Sequence, residues 1–75
     1  MNLVAGNLYK YRNGKNVFLE FDCNEIVGHI KEYEPFVLLE NREETMYGDL
    51  LKILTINGIV GWIHVGYPED IKSVE

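Results

Sequence analysis

The seven glycines and two prolines of this chain favour short strands over long helices. As far as Gly58 they recur every 7–14 residues, close to the roughly 8–12-residue spacing of short strands joined by tight turns in small all-β folds. No window of about 11 residues carries apolar residues at helical spacing without a glycine or proline inside it. The interrupting residues are Gly6, Gly14, Gly28, Pro35, Gly48, Gly58, Gly61, Gly66 and Pro68.

The clearest predicted element is a β-hairpin that turns at Asn57-Gly58, between apolar runs at 50–55 and 60–64. Both central residues of a type I′ turn need a positive φ, which Asn and Gly tolerate best. The same logic predicts a second hairpin at Asn13-Gly14, between 8–11 and 17–21.

Further strands are predicted at 26–30, at 36–39 and at 71–74, with the 36–39 strand buried on both sides. The polar stretch 41–45 is expected to be an exposed loop, and 66–70 a short helical turn. The chain is thus predicted to be all-β, a single domain over residues 1–75 with five or six short strands. Closing such strands into a small barrel removes exposed sheet edges.

The charge balance argues against nucleic-acid binding. The formal net charge is −5, whereas proteins that bind a phosphate backbone usually carry clustered Lys and Arg. A local basic patch around Lys10, Arg12 and Lys15 stays open as an alternative. An acidic surface also keeps a small protein soluble without any further function.

No cofactor, metal site or catalytic centre is predicted. Cys23 is the single cysteine, so no disulfide framework forms within the chain. Cys23, His29 and His64 lack the spacing of a metal site, and a cysteine–histidine pair has little room for a substrate pocket. No apolar run approaches the ~20 residues that span a bilayer, and no signal peptide is visible. We therefore expect a cytoplasmic protein with no membrane partner.

Residues 57–67 resemble the distal half of a bacterial SH3-like barrel. A Gly-containing turn, Gly-Trp-(Val/Ile), a short 3-10 turn with an aromatic residue and a final strand are typical of that family. Gly58, Gly61, Trp62, Ile63 and Tyr67 stand at matching positions. Upstream, 27–30 and 34–39 are similar to its diverging turn and second strand. The resemblance implies an SH3-like barrel with a 3-10 turn before the last strand, in which Trp62 is mostly structural; a stacking face for a ligand is the alternative.

The segment Leu8-Tyr9-Lys10-Tyr11 is similar to an element of peptide-binding SH3 domains. In that family two such tyrosines, a later tyrosine, a tryptophan and a proline form a groove for Pro-rich peptides. Tyr9, Tyr11 and Tyr67 match the tyrosines, while Leu50 and His64 stand near the tryptophan and proline positions. The resemblance implies a tyrosine-rich binding surface, and tyrosine is enriched at such surfaces. Strands also favour aromatic residues for packing alone.

Three acidic residues, Glu20, Asp22 and Glu25, lie where the long first loop of an SH3 domain would be. In the family such acids select a basic residue of the ligand, so the resemblance implies a basic partner. A solvated polar turn is the alternative, since Asp and Asn are themselves turn formers.

The sequence thus predicts a small non-enzymatic module that binds a protein or peptide. The alternatives are an assembly subunit or homo-oligomer, similar to small accessory proteins of tailed bacteriophages, and a cell-wall binder as in secreted SH3-like domains. The predicted ligand-binding residues are Tyr9, Tyr11, Tyr67, His64, Trp62, Glu20, Asp22 and Glu25.

Overall fold

The protein is all-β. A computed structural model describes residues 3–20, 22, 24–45 and 48–74. A 3-10 turn, Pro68–Asp70, is the only helical element within that part of the chain. The sequence predicted five or six strands, and the described residues form seven. They are β1 (Leu8–Tyr11), β2 (Lys15–Phe18), β3 (Ile26–Ile30), β4 (Phe36–Thr45), β5 (Gly48–Thr55), β6 (Val60–Val65) and β7 (Ile71–Ser73).

All seven strands belong to one antiparallel sheet with the order β3-β2-β6-β5-β4-β1-β7. The predicted hairpin at Asn13-Gly14 is wrong, because β1 pairs with β4 and β7 whereas β2 pairs with β3 and β6. Neither Asn13 nor Gly14 adopts the positive φ of a type I′ turn. The connection is a bend that carries the chain from one side of the β4-β5-β6 meander to the other.

This connection requires a strongly curved sheet. In a flat sheet, the four strand spacings between β1 and β2 would separate them by roughly 19 Å. The chain from Tyr11 to Lys15 spans at most about 14 Å when fully extended. The two sides of the meander must therefore approach each other, and the core lies inside the curve.

The predicted hairpin at Asn57-Gly58 is confirmed as the β5–β6 connection, with Leu54 paired to Val60 and Ile53 to Gly61. The turn itself differs from the predicted type. Only Gly58 has a positive φ (83°), and its N–H donates to the carbonyl of Thr55 at 3.0 Å. These features describe a three-residue loop in which a turn is followed by a left-handed glycine.

The strand at Phe36 is longer and less buried than expected. Phe36 and Leu38 are buried, but Val37 is half-buried and Leu39 is 39% exposed, so this strand is not covered on both sides. Residues 41–45, expected to be a loop, continue β4 because Asn41 pairs with Leu51. Polar composition marked these residues as loop, while their partner strand holds them in the sheet.

Several other predicted elements match. The strand at 26–30 is β3, the helical turn before the last strand is Pro68–Asp70, and the last strand is Ile71–Ser73. The predicted strand over 17–21 begins and ends earlier, as β2, and Phe21 lies outside the described residues.

The core consists of apolar side chains on the concave face of the sheet. Their almost complete burial shows that the curvature shields this face from water. The core residues are Tyr9, Tyr11, Val17, Ile30, Phe36, Leu38, Leu51, Ile53, Ile63, Val65 and Ile71.

Candidate functional site

Tyr9 and Tyr11, which the sequence predicted to contact a ligand, are core residues. Tyr11 is 1% exposed and Tyr9 is 6% exposed. The Tyr9 hydroxyl accepts a hydrogen bond from the Val4 N–H at 2.8 Å, and the Lys15 ammonium lies 5.7 Å from the centre of the Tyr11 ring. Two inward positions of β1, the first strand, thus use tyrosine for packing, and neither offers a ring face to a ligand.

Tyr67 is exposed as predicted, and the structure adds a second exposed tyrosine. Tyr67 is 64% exposed and Tyr33 is 56% exposed. Tyr33 closes the turn between β3 and β4, in which the Glu34 N–H donates to the Lys31 carbonyl at 3.1 Å. Its φ of 61° is the only positive value at a non-glycine residue in the described part of the chain. Nothing in the local sequence indicates that a tyrosine occupies this conformation.

Specific contacts connect the two exposed tyrosines to the same part of the fold. The Tyr33 N–H donates to the Tyr11 carbonyl at 2.7 Å. Arg12, the residue after Tyr11, places its Nε 3.4 Å from a carboxylate oxygen of Asp70. The Asp70 N–H in turn donates to the Tyr67 carbonyl at 3.0 Å. The end of β1 therefore contacts the β3–β4 turn through Tyr11 and the 3-10 turn through Arg12.

Trp62 is buried on the opposite face of the sheet from the core. It is 6% exposed and alternates along β6 with the core residue Ile63, so its side chain faces outward. The Arg42 guanidinium lies 5.6 Å from the ring centre, a cation–π distance. This burial agrees with a structural role. A ligand would not find an open stacking face here.

His64 lies two residues further along β6, on the same outer face, and is half-buried. It pairs with Leu50, which pairs in turn with Arg42. His64 is therefore part of the cluster beside Trp62. Tyr67, the other predicted residue in this region, extends from the connection after β6 and is much more exposed.

The acidic residues lie together in the exposed β2–β3 connection. Glu20, Asp22 and Glu25 are all exposed, and the connection is closed by a bond from the Leu19 N–H to the Glu25 carbonyl at 2.8 Å. Asp22 accepts hydrogen bonds from the backbone and side-chain nitrogens of Asn24, both at 3.2 Å. Both interpretations from the sequence fit this geometry, because the acids form a polar turn and also present negative charge to solvent.

The residues considered for chemistry do not converge. Within the described ranges, no three His, Cys, Asp or Glu side chains are grouped so that they could hold a metal ion. The Nδ1 of His29, in β3, lies 3.2 Å from the Oδ1 of Asn16, in β2. Cys23 lies outside the described residues. In the same part of the chain, no helix has the length and apolar character needed to cross a membrane.

An apolar row crosses four strands on the solvent side of the sheet. The cross-strand pairs Leu8–Val37, Val37–Leu54 and Leu54–Val60 align four apolar side chains. Directly paired residues share one face of a sheet, and here it is the face opposite the core. Leu8 and Val60, at the two ends of the row, are each 46% exposed.

The fold and these surfaces define a small all-β protein, in which the described part of the chain forms one antiparallel sheet of seven strands. Comparison with protein-family models, with curated proteins and with solved structures found no match.

Proposed function

We propose that this chain is a small SH3-like, non-enzymatic module that binds a protein or peptide through exposed tyrosines. The topology supports the SH3-like part of the proposal. A three-stranded meander, β4-β5-β6, leads through the 3-10 turn to β7, which returns to pair with β1. This is the order of elements that the resemblance implied, and the curvature required by the β1–β2 connection favours a barrel-like closure.

The observation that carries the proposed function is the backbone conformation of Tyr33. A side chain with a Cβ costs roughly 1–2 kcal/mol in the left-handed region, where glycine is unstrained. Tyr33 adopts φ = 61° and is 56% exposed, so burial of its ring does not offset this cost. Strained conformations of this kind concentrate at ligand-binding positions. A tyrosine kept there is best explained by contacts that its ring makes with a partner.

Tyr67 is the second proposed contact residue. It is 64% exposed and precedes the 3-10 turn that Arg12 holds through Asp70. Tyrosine provides a large contact area with few rotatable bonds, so two exposed rings on braced turns are suited to anchoring a partner. The binding surface is thus moved from Tyr9 and Tyr11 to Tyr33 and Tyr67.

The acidic connection supports a basic ligand. Glu20, Asp22 and Glu25 are exposed together, and complementary charge steers association and suppresses partners of like charge. We therefore propose a partner that also carries Lys or Arg where it meets the β2–β3 connection, which lies at the opposite end of β3 from Tyr33. Its binding should weaken as salt is added, because exposed charges are screened.

The proposed function is tested by capturing partners from a lysate of the source cells with four forms of the protein and then measuring the affinity of any captured partner. The forms are wild type, Tyr33→Ala, Tyr67→Ala and the control Ile56→Ala. Ile56 has the same exposure as Tyr67 (64%) but lies on the β5–β6 loop. A central aromatic contact typically contributes about 2 kcal/mol or more, roughly a 30-fold loss of affinity on truncation.

A partner that binds wild type and Ile56→Ala but loses affinity with both tyrosine variants is the expected result. A partner that binds all four forms equally would contradict the tyrosine surface. Circular dichroism of each variant confirms that the fold is retained.

A second candidate function is that of an assembly subunit, which the apolar row favours. Leu8, Val37, Leu54 and Val60 form a continuous apolar strip on the solvent face, and such strips often mark protein interfaces. Leu8→Lys combined with Val60→Lys would then abolish assembly without affecting Tyr33-dependent binding. Retained assembly in this double variant would contradict the second candidate.

A cytoplasmic location, an origin among phage accessory proteins and cell-wall binding remain predictions of the sequence. Binding to purified peptidoglycan in a pull-down assay would favour the last of these over a protein ligand.

A further inference from the structure

Two asparagines of this chain, Asn13 and Asn57, are directly followed by glycine. An asparagine in this position can lose its side-chain amide when the nitrogen of the next residue attacks its Cγ and water completes the reaction. Glycine has no Cβ to hinder that attack, whereas every other asparagine of the chain precedes a residue with a side chain. The chemistry therefore singles out these two pairs, and the structure distinguishes between them.

Exposure to solvent does not separate the two pairs. Asn13, Gly14, Asn57 and Gly58 are all exposed. Water therefore reaches both asparagines, and any difference in reactivity that the fold causes must come from how the backbone is held.

The Asn57-Gly58 pair lies in a loop that hydrogen bonds hold. The Gly58 N–H donates to the Thr55 carbonyl at 3.0 Å, so the attacking nitrogen is already engaged. The Thr55 N–H donates to the Ile59 carbonyl at 2.8 Å, and the Ile59 N–H donates to the Thr55 hydroxyl at 3.1 Å. Movement of the Gly58 nitrogen onto the Asn57 side chain would break the first of these bonds and distort the loop.

The Asn13-Gly14 pair lies in the bend between β1 and β2. Among the residues that the structure describes, none accepts a hydrogen bond from the Gly14 N–H. The pair also lies outside the strand ladders, because β1 ends at Tyr11 and β2 begins at Lys15. The Gly14 nitrogen can thus turn towards the Asn13 side chain without breaking a hydrogen bond.

We propose that Asn13 is a site of spontaneous deamidation in the folded protein and that the fold protects Asn57. The Gly14 nitrogen forms a bond to the Asn13 Cγ, and the bond from Cγ to the side-chain nitrogen breaks. The departing nitrogen takes up the proton of the Gly14 N–H and leaves as ammonia. Water then opens the resulting succinimide ring at either carbonyl, which leaves aspartate or isoaspartate at position 13.

Both products change the charge of the β1–β2 connection, and one also changes its backbone. Each adds a carboxylate beside Arg12, whose Nε lies 3.4 Å from a carboxylate oxygen of Asp70. The formal net charge of −5 becomes one unit more negative. Isoaspartate also lengthens the main chain of the connection by one carbon atom. The inference goes beyond the proposed binding function and does not depend on Tyr33 or Tyr67.

The test is incubation of the full chain in neutral buffer, with tandem mass spectrometry of proteolytic fragments at successive times. In the folded protein, Asn13 should deamidate faster than Asn57 by about tenfold or more, and tenfold corresponds to about 1.4 kcal/mol of additional barrier at Asn57. The control is the same measurement on the chain unfolded in guanidinium chloride. The loop hydrogen bonds are absent there, so the two rates should become similar.

Two matched variants assign the change of charge to one residue. Glutamine has one more methylene than asparagine, so its larger ring closes much more slowly. Asn13→Gln should remove the acidic product that ion-exchange chromatography separates from the incubated protein, whereas Asn57→Gln should leave its amount unchanged. Circular dichroism before incubation confirms that both variants are folded.

Four results would overturn the proposal. These are a reaction at Asn57 as fast as that at Asn13 in the folded protein, an acidic product that persists in Asn13→Gln, protection of both asparagines by the fold, and a ratio of rates that unfolding leaves unchanged. In the last case the flanking residues, rather than the hydrogen bonds of the fold, would set the two rates. A faster reaction at Asn13 that unfolding equalises would support the proposal.

Discussion

Gly61 allows β6 to pass unusually close to β2. A Cβ built at Gly61 would lie 2.5 Å from the Phe18 carbonyl oxygen and 2.6 Å from the Val17 Cγ1. The carbonyl belongs to the backbone of a paired strand, so it cannot move aside as the end of a flexible side chain would. The sequence resemblance included this glycine in a Gly-Trp motif. The structure supplies the physical reason for it.

Gly61→Ala should therefore destabilise the protein strongly, by at least the 1–3 kcal/mol typical of overpacking. Gly66→Ala is the matched control, because nothing lies within 4 Å of a Cβ there. Its φ is also not positive, so alanine fits without strain. The free energy of unfolding from urea titrations of both variants checks the prediction. Equal stabilities of the two variants would contradict the close approach of β6 to β2.

Tyr33 allows a prediction of opposite sign. Tyr33→Gly should raise the free energy of unfolding by about 0.5–1 kcal/mol, because glycine relieves the left-handed strain but gains freedom in the unfolded chain. Tyr33→Ala removes the ring and keeps the strained backbone, so it should show no such gain. Thermal unfolding of both variants makes the comparison. A loss of stability in Tyr33→Gly would mean that the ring contributes to packing, which would weaken the argument for a partner.

At the scale of elements, the β5–β6 hairpin depends on Thr55 as well as on Gly58. Thr55 is 4% exposed, and its hydroxyl oxygen accepts a hydrogen bond from the Ile59 N–H at 3.1 Å. Thr55→Val keeps the shape but leaves that N–H without the hydroxyl, at a cost of about 1–3 kcal/mol. Thr55→Ser retains the hydroxyl oxygen, so its free energy of unfolding should fall by less. Urea unfolding of the two variants distinguishes the cases, and a larger loss of stability in Thr55→Ser than in Thr55→Val would assign the effect to the methyl group.

The two Asn-Gly pairs show how much of an element the sequence predicts. At Asn57-Gly58 the flanking runs pair with each other, so local turn chemistry and long-range pairing agree. At Asn13-Gly14 the flanking strands pair with distant strands, among them β7 and β6. Turn residues permit a reversal but do not require one, and tertiary pairing decides. The same reasoning explains 41–45, whose polar residues became a strand through their partners in β5.

The candidate site could be predicted from the sequence only in part. Tyr67 and the acidic connection are exposed as the sequence suggested, whereas Tyr9 and Tyr11 are buried. Alternation along a short strand indicates that its residues face two sides, but only the fold determines which side is the core. The Tyr33 N–H donates to the Tyr11 carbonyl, a contact between separate elements that no local sequence pattern contains.

At the scale of the whole molecule, the first and last strands of the chain are neighbours in the sheet. β1 pairs with β7, with Tyr9 opposite Ser73, and β1 also pairs with β4. Pairings between residues so distant in sequence close large loops, which slows folding to the millisecond-to-second range typical of such all-β domains. Loss of one core residue near the C-terminal end should therefore destabilise the entire sheet rather than a local segment.

Ile71→Ala tests this cooperativity. Ile71 is fully buried although it lies in a three-residue edge strand, so its truncation should cost about 2–5 kcal/mol. A domain of this size has only about 4–11 kcal/mol of stability in total, so the loss is a large part of it. Trp62 reports on the outer face by fluorescence, and far-ultraviolet circular dichroism reports on the strands. In Ile71→Ala, the unfolding midpoint reported by each probe should move to a lower urea concentration by the same amount. Ile56→Ala, on an exposed loop, should leave both midpoints unchanged. Separate transitions for the two probes would show that the outer cluster unfolds independently of the core, and the sheet would then not be one cooperative unit.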